Sequence, residues 1–493
     1  MQIQWFKKFD LALFSKQKQA SALAQQGYYA VGLMLTKVIS LFLLPYLAKQ
    51  LGLVEFARLE TLLAIINGAT IVVGLGMVNL LYRKVGQSAL HEKKQITAAI
   101  AGNAVSVALL VLAFCLISTP IILPLLNSLV SLSIIEFWFC SALICIEGIL
   151  GVSLAWLRMQ DKAKLFFQMM VTRGVLYALF VSLGLAIGLG LTWVLFASLF
   201  AALYQVIHLI IIQYRDTRIS FSWHSLYQTF LYGWPFVISG LAMYATQGME
   251  VVILAQNVSP ESLASYVIAV KLFLIAALLN QPFLLWWYPK RMGLIAEKNG
   301  LSRAGAGATL GVLLAMISST LIWLWSPWVI GLLFADGVAP ALSYLPWLLI
   351  AGVLKQWGAL FNLGCFSSEN SRTQMYIEVS TGVFCLIGFP IAIELAQVHG
   401  ALAVFVMSQA IRLLAYWLIS QHYLSVVYPV HELVKGIVLC VSLIFLASLF
   451  SRAYVYQLDF TSFSACIGIT LLMIAALAYK LQQVGRKIHA TDL

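Results

Sequence analysis

Fourteen times along this chain of 493 residues an apolar run reaches the roughly 20 residues that a helix needs to cross a bilayer, and no other feature narrows the possible folds as much. The runs cover 21–47, 56–82, 96–118, 133–157, 165–187 and 192–213, then 230–254, 262–288, 305–328, 342–366, 375–396 and 400–421, and finally 435–451 and 460–480. They are continuously apolar rather than alternating, so they predict helices that satisfy their own backbone hydrogen bonds, not the strands of a barrel. With 62% hydrophobic and 10% charged residues and a mean hydropathy of +0.94, the chain lies far from soluble usage. The expected fold class is therefore an all-α polytopic membrane protein with about 14 transmembrane helices.

The chain also matches itself. Displaced by 207 positions, Leu47-Ala48, Gln50, Leu51 and Ala57 fall on Leu254-Ala255, Asn257, Val258 and Ala264. At an offset of 206, Tyr82 and Lys84 fall on Tyr288 and Lys290, and Gln168-Met169 on Gln374-Met375. A near-constant offset implies duplication, in units too long for a solenoid. The expected organisation is a cytoplasmic segment 1–20, a six-helix lobe 21–213, a cytoplasmic linker 214–229, a second six-helix lobe 230–421, a further helix pair within 435–480, and a cytoplasmic tail 481–493. Membrane proteins built from paired repeats place their substrate where the repeats meet, near mid-bilayer.

Lysine and arginine collect on one side: Lys7, Lys8, Lys16 and Lys18 at the N-terminus, Arg83, Lys84, Lys93 and Lys94 after the second span, and Lys290, Arg291, Lys298 and Arg303 after the eighth. The opposite loops hold only Lys49 and Arg452, so both termini are expected in the cytoplasm. No cleaved signal peptide is expected, since the N-terminal segment lacks an apolar core with a small-residue cleavage site. The basic excess, 30 Lys and Arg against 18 Asp and Glu, fits an anionic membrane surface or anionic substrate. Nucleic acid is not expected as a partner, because no loop is long enough to fold into a binding domain.

The seven cysteines lie in apolar runs and read as buried thiols, without metal spacing or a disulfide framework. No Walker motif and no Ser/His/Asp, Cys/His or paired-carboxylate constellation is present, so neither catalysis nor a cofactor is expected, and His208 reads as structural. The stretch Leu183–Leu191, LGLAIGLGL, predicts close helix packing, and Trp286, Trp287 and Tyr288 predict an interfacial aromatic belt.

What remains is a set of charges inside the spans, including Lys37, Arg58, Glu60, Glu136, Glu147, Arg173, Glu250, Lys271, Lys355, Glu378, Glu394 and Arg412. Each costs roughly 2.5–3.5 kcal/mol at a helix centre on insertion scales, so each needs a partner or a wet cavity. Lys37 and Lys271 lie too deep to reach headgroups easily, which points to cavity lining. Arg58 lies nearer the outer end of its span. Ser239, Gln247 and Glu250 share a helical face and predict an interior polar stripe. Arg173, Lys355 and Arg412 read either as cavity charges or as partners of Glu136, Glu147, Glu378 or Glu394.

Several stretches resemble a known family. Tyr28-Tyr29, LTKVISLFLLPYLAKQLG, Glu55-Phe56 and GLGMVNLLYRK, followed in the second half by YGWPFVISGLAMYATQGMEVVILAQ and SYVIAVKLF, are similar to the polysaccharide-type flippases of the multidrug/oligosaccharidyl-lipid/polysaccharide exporter superfamily. That resemblance implies two six-helix lobes around a cationic cavity that opens alternately to either side of a bacterial inner membrane. The implied cargo is an undecaprenyl-diphosphate-linked oligosaccharide such as an O-antigen, capsule or exopolysaccharide repeat unit, and the implied partners are the bilayer and other polysaccharide assembly proteins. It gives Lys37, Arg58 and Lys271 to the diphosphate, although related lipid II flippases carry arginine where two of these are lysine and thereby lose a bidentate fork. Glu250, a carboxylate embedded in its span, is the candidate for coupling transport to protons or sodium. The alternatives are a multidrug or cation antiporter of the same superfamily and a membrane-embedded glycan polymerase or ligase.

Overall fold

The computed structural model describes residues 2–87, 92–295, 300–334, 338–367, 372–451, 464, 466–473 and 475, with side chains from Gly27 onward except at 285–286, 289–290, 292–295, 366–367, 372 and 445–451. The expected tail 481–493, most of the span 460–480, and the side chains of the N-terminal lysines, Trp286, Lys290 and Lys298 lie outside the described residues.

The described chain is helical, with no strand. In order, α1 is Gln2–Gly74, α2 Met77–Gln87, α3 Glu92–Ile117, α4 Thr119–Asn127 and α5 Ile134–Met159. Then come α6 Ala163–Ala186, α7 Leu191–Asp216, α8 Trp223–Thr246, α9 Met249–Asn257 and α10 Pro260–Ile295. The last five are α11 Gly300–Leu333, α12 Pro340–Phe361, α13 Leu363–Ser367, α14 Arg372–Tyr423 and α15 Val430–Ser451. Eight helices among the described residues are long and apolar enough to cross a membrane, or nine when α8 and α9 count as one bent span. α1 and α14 each exceed one crossing and carry a break: at Gly52 in α1 (φ 74°) and at Ala396–Gln397 in α14 (φ 50° at Gln397). Those breaks lie where the predicted spans 21–47 and 56–82, and 375–396 and 400–421, are interrupted.

The chain divides into two compact units, Met1–Leu241 and Ala242–Leu493. In the first, α1 packs on α6 through small residues: a methyl added at Gly174 would meet Thr36 and Ile39, and one at Gly32 would meet Phe167. Lipid tails are as apolar as leucine, so such close contact and buried polar bonds hold membrane helices together. Asn103 of α3 supplies two of these bonds, donating to Ser225 Oγ at 2.9 Å and Thr229 Oγ1 at 2.8 Å on α8. The start of α8 is further fitted to this unit at Gly233, where a side chain would collide with the Leu75 carbonyl. Outward, α3 shows Leu109, Leu110, Phe114 and Ile117, an apolar surface suited to lipid.

In the second unit, Asn280 of α10 donates to Ser318 Oγ of α11 at 2.8 Å. The core at the end of α10 gathers Trp287, Ala304, Ala308, Val312, Leu360 and Tyr428, with Phe361 and Tyr428 stacked at 3.7 Å between ring centres. Trp287, 2% exposed, is a core residue rather than part of an interfacial belt. Arg291, expected in a cytoplasmic loop, is buried within the longer α10 and donates to Asn362 Oδ1 at 3.0 Å. Tyr288 lies under its guanidinium, with 4.4 Å from Cζ to the ring centre.

Two of the three glycines in the stretch Leu183–Leu191 do different jobs. Gly184 leaves room for the Trp193 ring, whose Nε1 donates to the Phe180 carbonyl at 2.8 Å, whereas Gly188 takes φ +82° in the turn joining α6 to α7. Only the first is helix packing. All seven cysteines are free thiols, six buried and Cys115 partly so.

Candidate functional site

In the first unit, Lys37 and Arg58 have opposite fates. Lys37, on α1, is exposed and makes no ion pair among the described residues. Its neighbours Thr36 and Ser40 turn their hydroxyls back to the helix carbonyls of Gly32 and Thr36, at 2.9 and 3.0 Å. Arg58 has all its nitrogens engaged: Nε donates to the Ser131 carbonyl at 2.7 Å, one terminal nitrogen to Glu55 at 3.0 Å, and the other to Glu136. Glu136 is itself buried in a capping box at the start of α5, accepting from the Ser133 amide at 2.9 Å and from the Thr192 hydroxyl at 3.0 Å. This arrangement fixes the second limb of α1 to the starts of α5 and α7. Arg173 of α6 is bound to Glu147 of α5 and, at 3.2 Å, to the buried Gln205 of α7.

In the second unit, Lys271 lies half-buried on α10. Arg412 is bound to Glu378 along the folded-back α14, and the Tyr416 hydroxyl donates to the same carboxylate at 2.7 Å. Lys355 of α12 donates to Gln247 Oε1 at 2.6 Å.

Gln247 marks a feature that sequence periodicity missed. The seventh span does not continue as one helix, because α8 and α9 meet at 47° across Gln247–Gly248. The polar stripe predicted from Ser239 to Glu250 is therefore interrupted. Gly248 has φ 141°, a value L side chains rarely take, and a Cβ there would also press on the Tyr244 ring. Glu250 lies in the first turn of α9, buried, and accepts from the Gly248 amide at 2.5 Å and from the buried Tyr266 hydroxyl at 3.4 Å. A carboxylate at this helix start answers both the free amides and the positive end of the helix dipole. The signal available in sequence was the Gln-Gly pair inside an otherwise unbroken run. Gly248→Ala should lower stability by about 1–3 kcal/mol, the cost of holding a side chain in such a conformation, as a reduced midpoint of thermal unfolding in detergent.

These features define a polytopic helical membrane protein with charges buried along its spans. The sequence matches the family model described as polysaccharide biosynthesis protein over residues 22–290, more than half of the chain, and the protein belongs to that family. The fold is similar to that of a lipid II flippase MurJ in an inward closed conformation, with a TM-score of 0.71 and 11% identity over 92% of this chain and 99% of that one. An inward-facing multidrug resistance MATE family transporter of the MOP superfamily matches with a TM-score of 0.63 and 14% identity over 79% of this chain and 94% of that one. No curated protein matches it in sequence. The fold is thus that of the MOP transporters, all-helical and multi-pass.

Proposed function

We propose that this protein is a flippase that moves an undecaprenyl-diphosphate-linked oligosaccharide from the cytoplasmic to the outer leaflet of a bacterial inner membrane by alternating access. The observation that carries the reading is Lys37, an ammonium exposed on a membrane helix with no carboxylate to neutralise it among the described residues. The family and the fold of a lipid flippase support it. Ionised phosphates cannot enter hydrocarbon unaided, and charge-assisted hydrogen bonds from lysine offset that cost. Lys37 in the first unit and Lys271 in the second are the proposed phosphate contacts. Arg58 would reach phosphate only by leaving Glu136 and Glu55. With the cell interior negative, outward passage of two negative charges gains roughly 4.6 kcal/mol per 100 mV. Glu250 is the proposed coupling group.

The test is depletion of the protein from its native cell followed by leaflet-resolved analysis of lipid-linked glycans. An undecaprenyl-linked repeat unit should accumulate on the cytoplasmic face, and unchanged distribution would reject the reading.

A second reading, a cation antiporter, is favoured by the buried carboxylate of Glu250 and by the MATE fold. Efflux of cationic dyes that disappears in Glu250→Gln, with normal glycan distribution, would establish it instead.

A further inference from the structure

A cavity of about 470 Å³ at the turn from α5 to α6 uses none of the residues assigned above. It is lined by Tyr28 of α1, Asp161 and Lys162 of the turn, and Lys164, Leu165 and Gln168 of α6. Its volume falls within the range of small-molecule sites. It lies where two spans meet their connecting loop, hence at headgroup depth, and on the basic side of the membrane by charge distribution. Tyr28 is roughly 14 Å along α1 from Lys37 at the helical rise, so the cavity is separate from the proposed transport contact.

Only some of its charge is available. Lys162 is committed, donating to Asp216 at 3.0 Å with its ammonium 4.6 Å from the centre of the Trp156 ring. Asp161 and Lys164 are both exposed and neither forms an ion pair among the described residues, not even with the other. Two opposite charges are thus kept separate in one recess. A basic recess alone would suit any anionic headgroup. The carboxylate changes that, because it repels a ligand that is only negative and attracts one that also carries a cation.

We propose that this cavity binds the headgroup of a zwitterionic phosphoethanolamine lipid, with Lys164 on the phosphate and Asp161 on the primary ammonium. Both contacts are charge-assisted hydrogen bonds, the stronger class. The Gln168 amide and the Tyr28 hydroxyl offer neutral donors and acceptors to the ester region, while Leu165 meets the first methylenes. A choline headgroup matches the charges but has no N–H to give Asp161. A glycerol headgroup lacks the cation altogether.

The discriminating measurement is competition of phosphatidylethanolamine, phosphatidylcholine and phosphatidylglycerol of matched acyl chains for the purified, delipidated full-length protein, read by native mass spectrometry. Wild type should retain the ethanolamine lipid about tenfold over either competitor, the ratio one such contact supplies. Asp161→Asn, chosen because asparagine tolerates the left-handed φ of 52° at this position, should bring the glycerol lipid level with the ethanolamine lipid. Lys164→Gln should weaken all three. Stronger retention of the glycerol lipid by wild type would mean a simple anion site and overturn the proposal. So would equal retention of the three lipids, or an ethanolamine preference that survives in both variants. No arm of the test depends on what the protein transports.

Discussion

Replacing Lys37 by alanine should leave the protein in the membrane at wild-type abundance while cutting export of the proposed lipid-linked cargo about ten- to hundredfold. A hydrogen bond to a charged group contributes about 1.5–3 kcal/mol, and each 1.4 kcal/mol is a factor of ten. The direction distinguishes a transport residue from a structural one. An unpaired lysine within a span costs the fold roughly 2.5–3.5 kcal/mol on insertion scales, so its removal should leave stability unchanged or raised. A residue kept for stability would behave the other way. Lys37→Arg should restore export, since guanidinium grips phosphate through two parallel bonds, and Lys37→Gln should not. Lys271→Ala should show the same loss of export. The readout is the amount of lipid-linked glycan reaching the outer leaflet, normalised to folded protein by size-exclusion chromatography. Normal export in both alanine variants would remove both lysines from the pathway.

The second large effect belongs to Glu136. Its carboxylate takes bonds from Arg58, from the Ser133 amide and from Thr192, so Glu136→Ala removes the buried counter-charge of Arg58, leaving it only the half-exposed Glu55, and opens the start of α5. Breaking a buried pair by removing one partner costs about 3–5 kcal/mol, whereas replacing both partners with apolar residues is often neutral. Glu136→Ala should therefore lower the thermal unfolding midpoint sharply, and the double replacement Arg58→Met with Glu136→Leu should recover most of it. Glu55, left behind in the double variant, is partly exposed and loses little, as solvated pairs do. The double variant also settles the role of Arg58. Export near wild type would make Arg58 a brace holding α1 to α5, and export lost in a stable protein would make it a phosphate contact.

The embedded charges show how far a linear reading reaches. Depth along a span is visible in sequence, because the helical rise converts residue count into distance, and that singled out Lys37. Partnership is not visible. Arg58 and Glu136 are separated by 78 positions, Arg173 and Glu147 by 26, and Lys355 and Gln247 by 108. Whether each cation meets an acid, an amide or neither depends on which helices pack together.

What the amino-acid sequence by itself determined is the helical, membrane-spanning character of the chain and its family. Continuous apolar runs of bilayer length permit little else when the backbone must satisfy its own hydrogen bonds. Only the tertiary structure decided that the seventh span bends at Gly248, that Trp287 and Arg291 are core residues, and that Arg58 is bound between two carboxylates. A helix looks the same from its own residues whether its polar side chain meets lipid, water or a partner, and hydropathy records the cost of burial without naming what offsets it.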